Sequence, residues 1–175
     1  MAGTLSVQKI QGLASSATPT TVEIASGHKI SGAAGSIVAP GQVLQCVQYY
    51  AANPGSQTTT SAGFTASGLK KTITPKASGN LIIVQANISM SYAASSGHLK
   101  MYMNGSVMSG AGNYQVGYIN ISHNAYAAVS MQAQHTTTDT SALEFEIYVR
   151  SPNGATFTFV HDSASTAITL WEIAQ

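Results

Sequence analysis

Hydrophobic and polar residues alternate along most of the chain beyond Gly41, as they do in half-buried β-strands. The clearest example is Leu143–Arg150, where Leu, Phe, Ile and Val alternate with Glu, Glu, Tyr and Arg. Residues 80–90 are instead partly apolar on both faces, which is the pattern of a strand inside a buried sheet. No stretch sustains a helical repeat of three to four residues. The pattern therefore predicts strands and no helix.

Turn signals divide residues 41–175 into about eight to ten strands, at the spacing typical of a sandwich or barrel. Asn104-Gly105 predicts a hairpin turn. Two further hairpins are predicted, one joining residues 114–121 to 125–133 and one joining Leu143–Arg150 to 156–160. We predict an all-β, antiparallel β-sandwich. A jelly roll is the first choice, and an immunoglobulin-like sandwich is the alternative.

Residues 1–40 differ from the rest because large apolar side chains are sparse and Gly and Ser breaks are frequent. Weak alternation at residues 5–7 and 22–24 fits short strands. Ordering each residue costs about 1–2 kcal/mol, which so few apolar groups do not offset. Residues 1–40 are therefore either disordered or ordered against other chains, and the weak alternation favours the second: we predict an extended N-terminal β arm over residues 1–40 that becomes ordered against other chains. The sandwich is predicted to occupy residues 41–175.

Charge is scarce in this chain. Charged residues make up 7% of its 175 residues and the net charge is +1, against about 25% charged residues in an average soluble protein. Little repulsion therefore opposes self-association. The only basic pair is Lys70-Lys71, so nucleic acid is not an expected partner. No apolar run reaches the ~18 residues of a membrane span, and the N-terminus does not resemble a signal peptide. We expect no membrane insertion and synthesis in a cytoplasm.

Catalytic and metal-binding patterns are not found in the sequence. The five histidines lack the spacing of a metal site, and Cys46 is the only cysteine. The apolar run around Cys46 predicts a buried thiol. Glu144 and Glu146 share one face of a predicted strand, which fits a solvated face better than a catalytic pair. We predict no enzymatic activity, no metal and no cofactor.

Tyrosine is the residue type best suited to recognition here. Tyr114, Tyr118 and Tyr126 cluster near Gly- and Asn-rich stretches in the middle third. A tyrosine ring combines rigid apolar area with a hydroxyl group, which suits sugars and protein interfaces. These three residues are the candidate binding surface. Ordinary strand packing or contact between subunits is the alternative.

Four stretches together resemble a known class of proteins. They are TLSVQKIQGL at 4–13, VEIASGHKI at 22–30, PGQVLQCVQ at 40–48 and LKKTITPKASGNLIIV at 69–84. This series resembles structural proteins of tailed bacteriophages, above all those of phages that infect cyanobacteria and other aquatic bacteria. The resemblance covers roughly the first half of the chain.

The resemblance implies a virion component of the tail-fibre, head-fibre or capsid-decoration type. It further implies a homotrimer, attached to capsid or tail proteins through residues 1–40, with an outward-facing jelly roll. The expected location is the virion, after synthesis in the host cytoplasm. The alternative function is host attachment by a lectin-like module that recognises a bacterial surface glycan through the tyrosine-rich stretches.

Overall fold

A computed structural model describes residues 26, 38–52, 55–92, 96–108, 118–120, 125–160 and 165–175. Only the backbone is described at 91–92, 118–120 and 125–126. The chain divides into two units, Met1–Ile37 and Val38–Gln175. The proposed arm, residues 1–40, lies almost entirely outside the described residues, so it stays a prediction. All described strands belong to the second unit.

Eleven strands form in the described part of the chain, which contains no helix. The prediction of an all-β fold is therefore confirmed. Three of the strands have only two or three residues, which explains the excess over the predicted eight to ten. The strands are β1 (Val43–Ala51), β2 (Gln57–Thr59), β3 (Thr65–Ile73), β4 (Leu81–Tyr92), β5 (Ser96–Met103), β6 (Ser106–Val107), β7 (Tyr118–Asn120), β8 (Ala125–Thr136), β9 (Leu143–Arg150), β10 (Phe157–Val160) and β11 (Thr166–Ile173).

The strands form two antiparallel sheets. In the first sheet β1 pairs with β11, β11 with β4, and β4 with β8, while β10 and β2 continue beside the far end of β4. In the second sheet β3 pairs with β9 and β9 with β5, whose other edge holds β6 and β7. The long strands of one sheet thus interleave in sequence with those of the other. This arrangement is a jelly roll, and that first choice is confirmed.

Two predicted hairpins are wrong. Strand β7 pairs with β5 in the second sheet, whereas β8 pairs with β4 in the first. Likewise β9 lies in the second sheet, whereas β10 lies in the first. In a jelly roll the connection between such strands crosses from one sheet to the other, so neighbours in sequence are not partners. The predicted Asn104-Gly105 hairpin is confirmed, since β5 pairs with β6 and both turn residues have positive φ, 50° and 75°.

The core lies between the inner faces of the two sheets. Phe145, Ile147 and Val149 of β9 are buried, and the residues between them face outward. Strand β4 supplies the facing row Ile82, Val84, Ala86, Ile88 and Met90. Fully burying one such side chain contributes about 1.5–3 kcal/mol, so the two rows fix which face of each sheet turns inward.

Cys46 lies on the outer face of β1, opposite Trp171 of β11, and its side chain is exposed. The prediction of a buried thiol is wrong. Strand β1 is an edge strand of the first sheet, and its partly apolar sequence does not reveal which of its two faces meets the core.

Candidate functional site

The outer faces of the two sheets differ in charge. On the four long strands of the first sheet, the outward positions carry no Lys, Arg, His, Asp or Glu. They are Val43, Cys46, Gln48, Tyr50, Ala167, Thr169, Trp171, Ile173, Leu81, Ile83, Gln85, Asn87, Ser89, Ala128, Ser130, Gln132, Gln134 and Thr136. The outer face of the second sheet holds Lys70, His98, Lys100, Glu144, Glu146 and Arg150. Among the outward-facing residues that the structure describes on the long strands, Lys, Arg, His and Glu are therefore confined to the second sheet.

Three aromatic side chains form a cluster on the charged side, here called the aromatic face: Phe64, Tyr102 and Tyr148. The rings of Tyr102 and Tyr148 are stacked, with centroids 3.7 Å apart and planes 11° apart. Phe64 lies 6.5 Å from Tyr102 at 49°. The register places Lys100 opposite Tyr148, so the two tyrosines are diagonal neighbours across β5 and β9. All three side chains are half-buried, and they give this face a rigid aromatic surface.

Two cations lie against the ring of Phe64. The guanidinium carbon of Arg150 is 4.7 Å from the ring centre, and Lys100 Nζ is 5.7 Å from it. Both distances are in the range of cation–π interactions. Arg150 Nε also donates a hydrogen bond to His98 Nδ1 at 3.0 Å, and its Nη2 lies 2.9 Å from the same nitrogen. Arg150 is thus held between an aromatic ring and an imidazole.

His98 must accept on Nδ1, because a guanidinium only donates. The imidazole is then neutral, with its proton on Nε2. Burial lowers the pKa of His98 from 6.5, and the neighbouring charge of Arg150 lowers it further. The pair therefore carries the charge of Arg150 alone at neutral pH.

The two carboxylates of this face are already engaged. Glu144 Oε2 forms an ion pair with Lys70 Nζ at 2.9 Å, and the hydrogen bond and charge of Glu144 raise the pKa of Lys70. Glu146 Oε1 accepts from the backbone amide of Gly68 at 2.9 Å. Gly68 has a φ of 77° and lies where the register between β3 and β9 shifts, so it forms a bulge. Glu144 and Glu146 face outward as expected, each with its own partner.

A third carboxylate, Glu172, is fully buried at one end of the sandwich. Its Oε1 accepts from the backbone amide of Lys76 at 2.7 Å and from Asn80 Nδ2 at 2.6 Å. Its Oε2 accepts from Gln45 Nε2 at 2.6 Å. Desolvation raises the pKa of Glu172, but these hydrogen bonds and one from the amide of Ala77 outweigh it and lower the pKa. Glu172 ties the β3–β4 connection to the first sheet.

The described backbone includes two of the three tyrosines named from the sequence. Tyr114 lies outside the described residues. Tyr118 is in β7, at the register position opposite His98 in the second sheet. Tyr126 is in β8, opposite Ser91 in the first sheet. The backbone thus places Tyr118 next to the aromatic face and Tyr126 on the other sheet, and the binding role of all three stays a prediction.

The spacing of residues in β5 and β9 carries a sequence signal for the aromatic face. Tyr102 follows Lys100 by two positions, and Arg150 follows Tyr148 by two, so each pair lies on one face of its strand. What the sequence does not reveal is that β5 pairs with β9 across some 40 intervening residues, or that Phe64 packs against both.

Neither a metal site nor a membrane span is found in the described part of the chain. Among these residues, no three His, Cys, Asp or Glu side chains are grouped closely enough to hold a metal ion. Nor does any helix there have the length and apolar character needed to cross a membrane.

Comparisons with known proteins give only weak structural matches. No protein-family model and no curated protein sequence matches the chain. Dimeric latent PorU from Porphyromonas gingivalis matches at 8% identity and a TM-score of 0.37, over 82% of this chain and 14% of that one. The Podospora anserina GH26-CBM35 β-(1,4)-mannanase matches at 16% identity and a TM-score of 0.30, over 78% of this chain and 29% of that one.

A third match is the CBM22-1 xylan-binding domain of Paenibacillus barcinonensis Xyn10C, at 11% identity and a TM-score of 0.33. It covers 79% of this chain and 99% of that domain. The chain therefore spans only 14% and 29% of the first two structures, and at these TM-scores none of the three supports an argument about function. The fold assignment rests on the strand order of the chain itself.

Proposed function

We propose that this chain is a non-enzymatic binding module that recognises a saccharide through the outer face of its second sheet. The observation that supports this proposal is the aromatic face, a half-buried group of three rings, two of them stacked, with cations beside it. The proposal keeps the lectin-like function considered from the sequence. It moves the centre of the site to Phe64, Tyr102 and Tyr148.

Size favours a sugar over a protein as the ligand. The three half-buried rings together expose on the order of 200 Å², whereas a protein partner typically covers about 800 Å². One or two sugar rings match the smaller area. The hydroxyl groups of Tyr102 and Tyr148 make no hydrogen bond to any described residue, so both are available to the hydroxyl groups of a sugar.

A glycan array probed with the purified full-length protein tests this function. We expect binding to a subset of saccharides. Phe64→Ala or Tyr148→Ala should weaken that binding by roughly tenfold, since each removes a rigid aromatic contact. Tyr50→Ala is the matched control, because Tyr50 is 61% exposed on the first sheet. An array without binding, or an equal loss in Tyr50→Ala, would contradict the proposal.

A second candidate is the trimeric virion appendage that the sequence resemblance implies, attached through residues 1–40. The uncharged outer face of the first sheet supports it, because copies meet there without electrostatic repulsion. Leu81, Ile83, Trp171 and Ile173 form an apolar group on that face. Four strands of about seven residues measure roughly 20 by 25 Å, or ~500 Å² per chain. Each chain thus offers about half of the ~1,000 Å² that a specific interface buries in total.

Strand β1 adds to this argument. Among the described strands it pairs only with β11, so its other edge has no described partner. Charged residues and proline commonly protect an edge strand from pairing with another chain. The nine residues of β1 include neither. By contrast, edge strand β3 of the second sheet carries Lys70 and the inward-facing, half-buried Lys71. Exposed apolar edges without such protection are suited to contact with another chain.

Mass measurement in solution tests the second candidate. We expect a trimer for the full-length protein, and monomers for Cys46→Lys, which places a charge on the uncharged face. Thr72→Lys, on the outer face of the second sheet, is the matched control and should leave the mass unchanged. The Cys46 thiol should react slowly in the assembled protein and rapidly after dissociation. A monomeric wild-type protein would remove this candidate.

A further inference from the structure

We infer that the ligand of the aromatic face is an acidic saccharide, with Arg150 binding its anionic group. This inference rests on the proposed saccharide-binding function and narrows its ligand class. It follows from three features of the site: how Arg150 is held, how the charges of the face are distributed, and which polar groups remain available.

Arg150 is fixed before any ligand arrives. Its guanidinium lies over the Phe64 ring and donates to His98, so the side chain has already lost much of its rotational freedom. An arginine on an open surface would lose that freedom only on binding. A guanidinium has five N–H donors, and no described residue besides His98 accepts from this one. The remaining donors form the planar fork that binds a carboxylate, phosphate or sulfate with two parallel hydrogen bonds.

The charges of the second sheet are separated along its strands. At one end, Lys70 forms an ion pair with Glu144, and the backbone amide of Gly68 donates a hydrogen bond to Glu146. At the other end, Arg150 and Lys100 both lie within 6 Å of the Phe64 ring centre, and neither forms an ion pair with a described carboxylate. The ring brings the two positive charges close together. An anion at this end interacts with both without competing with a resident acid.

The polar groups at this end of the face are mostly donors. The guanidinium and the ammonium group only donate, and the hydroxyl groups of Tyr102 and Tyr148 donate or accept. A neutral sugar does not use the two charges, whereas a sugar ring with an acidic substituent uses the charges, the hydroxyl groups and the aromatic surface together. The anionic group therefore sets the orientation of the sugar on the face.

The test compares three oligosaccharide probes by calorimetry with the full-length protein: oligogalacturonate, a sulfated dextran oligomer and neutral dextran. We expect the carboxylated or the sulfated probe, or both, to bind at least about tenfold more tightly than neutral dextran. That preference should decrease as salt is raised. Arg150→Gln should remove it, while Arg150→Lys, which keeps the charge but not the fork, should restore it only in part.

Lys76→Gln is the matched control, because it removes one exposed positive charge at the opposite end of the sandwich and should leave the preference intact. Lys100→Gln should lower acidic-probe affinity severalfold, and it keeps the test decisive if Arg150 variants fail to fold. Equal binding of all three probes would overturn the acidic preference but leave the saccharide-binding function standing. Binding of none of the probes, together with a glycan array without binding, would overturn both. An equal loss in Lys76→Gln would overturn the role of Arg150, because net charge alone would then account for the preference.

Discussion

Glu172→Gln is the substitution whose effect the structure defines most closely. The side chain is fully buried, and its two oxygens accept hydrogen bonds from the amide of Lys76, Asn80 Nδ2 and Gln45 Nε2. Glutamine has nearly the same shape but replaces one acceptor oxygen by an NH₂ donor. With its oxygen toward Lys76 and Asn80, its NH₂ group meets the donor of Gln45. Gln45 cannot turn over without cost, because the same Nε2 donates to Thr74 O at 2.7 Å.

The expected loss of stability is about 2.5–5 kcal/mol. The hydrogen bond from Gln45 to a charged acceptor, worth about 1.5–3 kcal/mol, disappears, and those from Lys76 and Asn80 become neutral and weaker by roughly 0.5–1 kcal/mol each. For a domain of this size such a change lowers the melting temperature by roughly 10 °C. Urea unfolding followed by the fluorescence of Trp171 at pH 7 measures it. Glu144→Gln is the control, since it removes an exposed ion-paired carboxylate and should have little effect.

The pH dependence gives a second, independent measurement. The pKa of Glu172 is lowered from 4.5 in the folded chain, so its contribution to stability is complete above pH 4.5. That contribution is lost as the pH falls through the folded-state pKa, where the carboxylate becomes protonated. The stability difference between wild type and Glu172→Gln should therefore shrink below pH 4.5. A difference that is absent at pH 7, or that stays constant down to pH 3, would refute the reasoning.

Three further outcomes are expected. A Cβ on Gly97 would lie 2.5 Å from the buried ring of Phe157, so Gly97→Ala should lower the free energy of unfolding by about 1–3 kcal/mol in chemical denaturation. Gly63→Ala is the control and should be nearly neutral, because a Cβ there meets nothing nearer than 4.0 Å. Equal stability of the two variants would contradict this packing. Gly105 has a φ of 75° in the β5–β6 turn, a conformation that strains alanine more than asparagine. Gly105→Ala should therefore lower the free energy of unfolding by about 1 kcal/mol, and Gly105→Asn should lower it less. The reverse order would contradict a left-handed conformation at this position. The pKa of His98 is lowered from 6.5 by burial and by the adjacent guanidinium, so the unfolded chain binds a proton more readily and stability should fall as the pH drops below 6.5. His98→Gln should flatten the plot of unfolding free energy against pH between about pH 6.5 and 5. An unchanged slope would contradict the assignment of this pH dependence to His98.

Much of the strand content was readable from the sequence. The alternation in Leu143–Arg150 identified β9 residue for residue, and the apolar run at 80–90 identified β4 as an interior strand. Asn104-Gly105 identified its hairpin because the two turn residues and both strands are neighbours in sequence. In each case the signal arises between residues only a few positions apart, where period-two side-chain direction and turn geometry act directly.

The tertiary structure alone decided which strands are neighbours. The sequence suggested that β7 pairs with β8 and β9 with β10, but the chain crosses between sheets at both connections. Strand β1 instead pairs with β11, about 125 residues away. Such pairs are selected by the burial summed over both sheets, to which each local segment contributes only a part.

The candidate site shows the same division. Local sequence determines that Lys100 and Tyr102 share one face of β5 and that Tyr148 and Arg150 share one face of β9, since neighbours in a strand point to opposite sides. Only the pairing of β5 with β9 placed the two tyrosines in a stack and brought Arg150 and Lys100 to one ring of Phe64. Side-chain direction depends on local backbone geometry, whereas proximity between distant segments depends on how the whole sandwich buries its apolar surface.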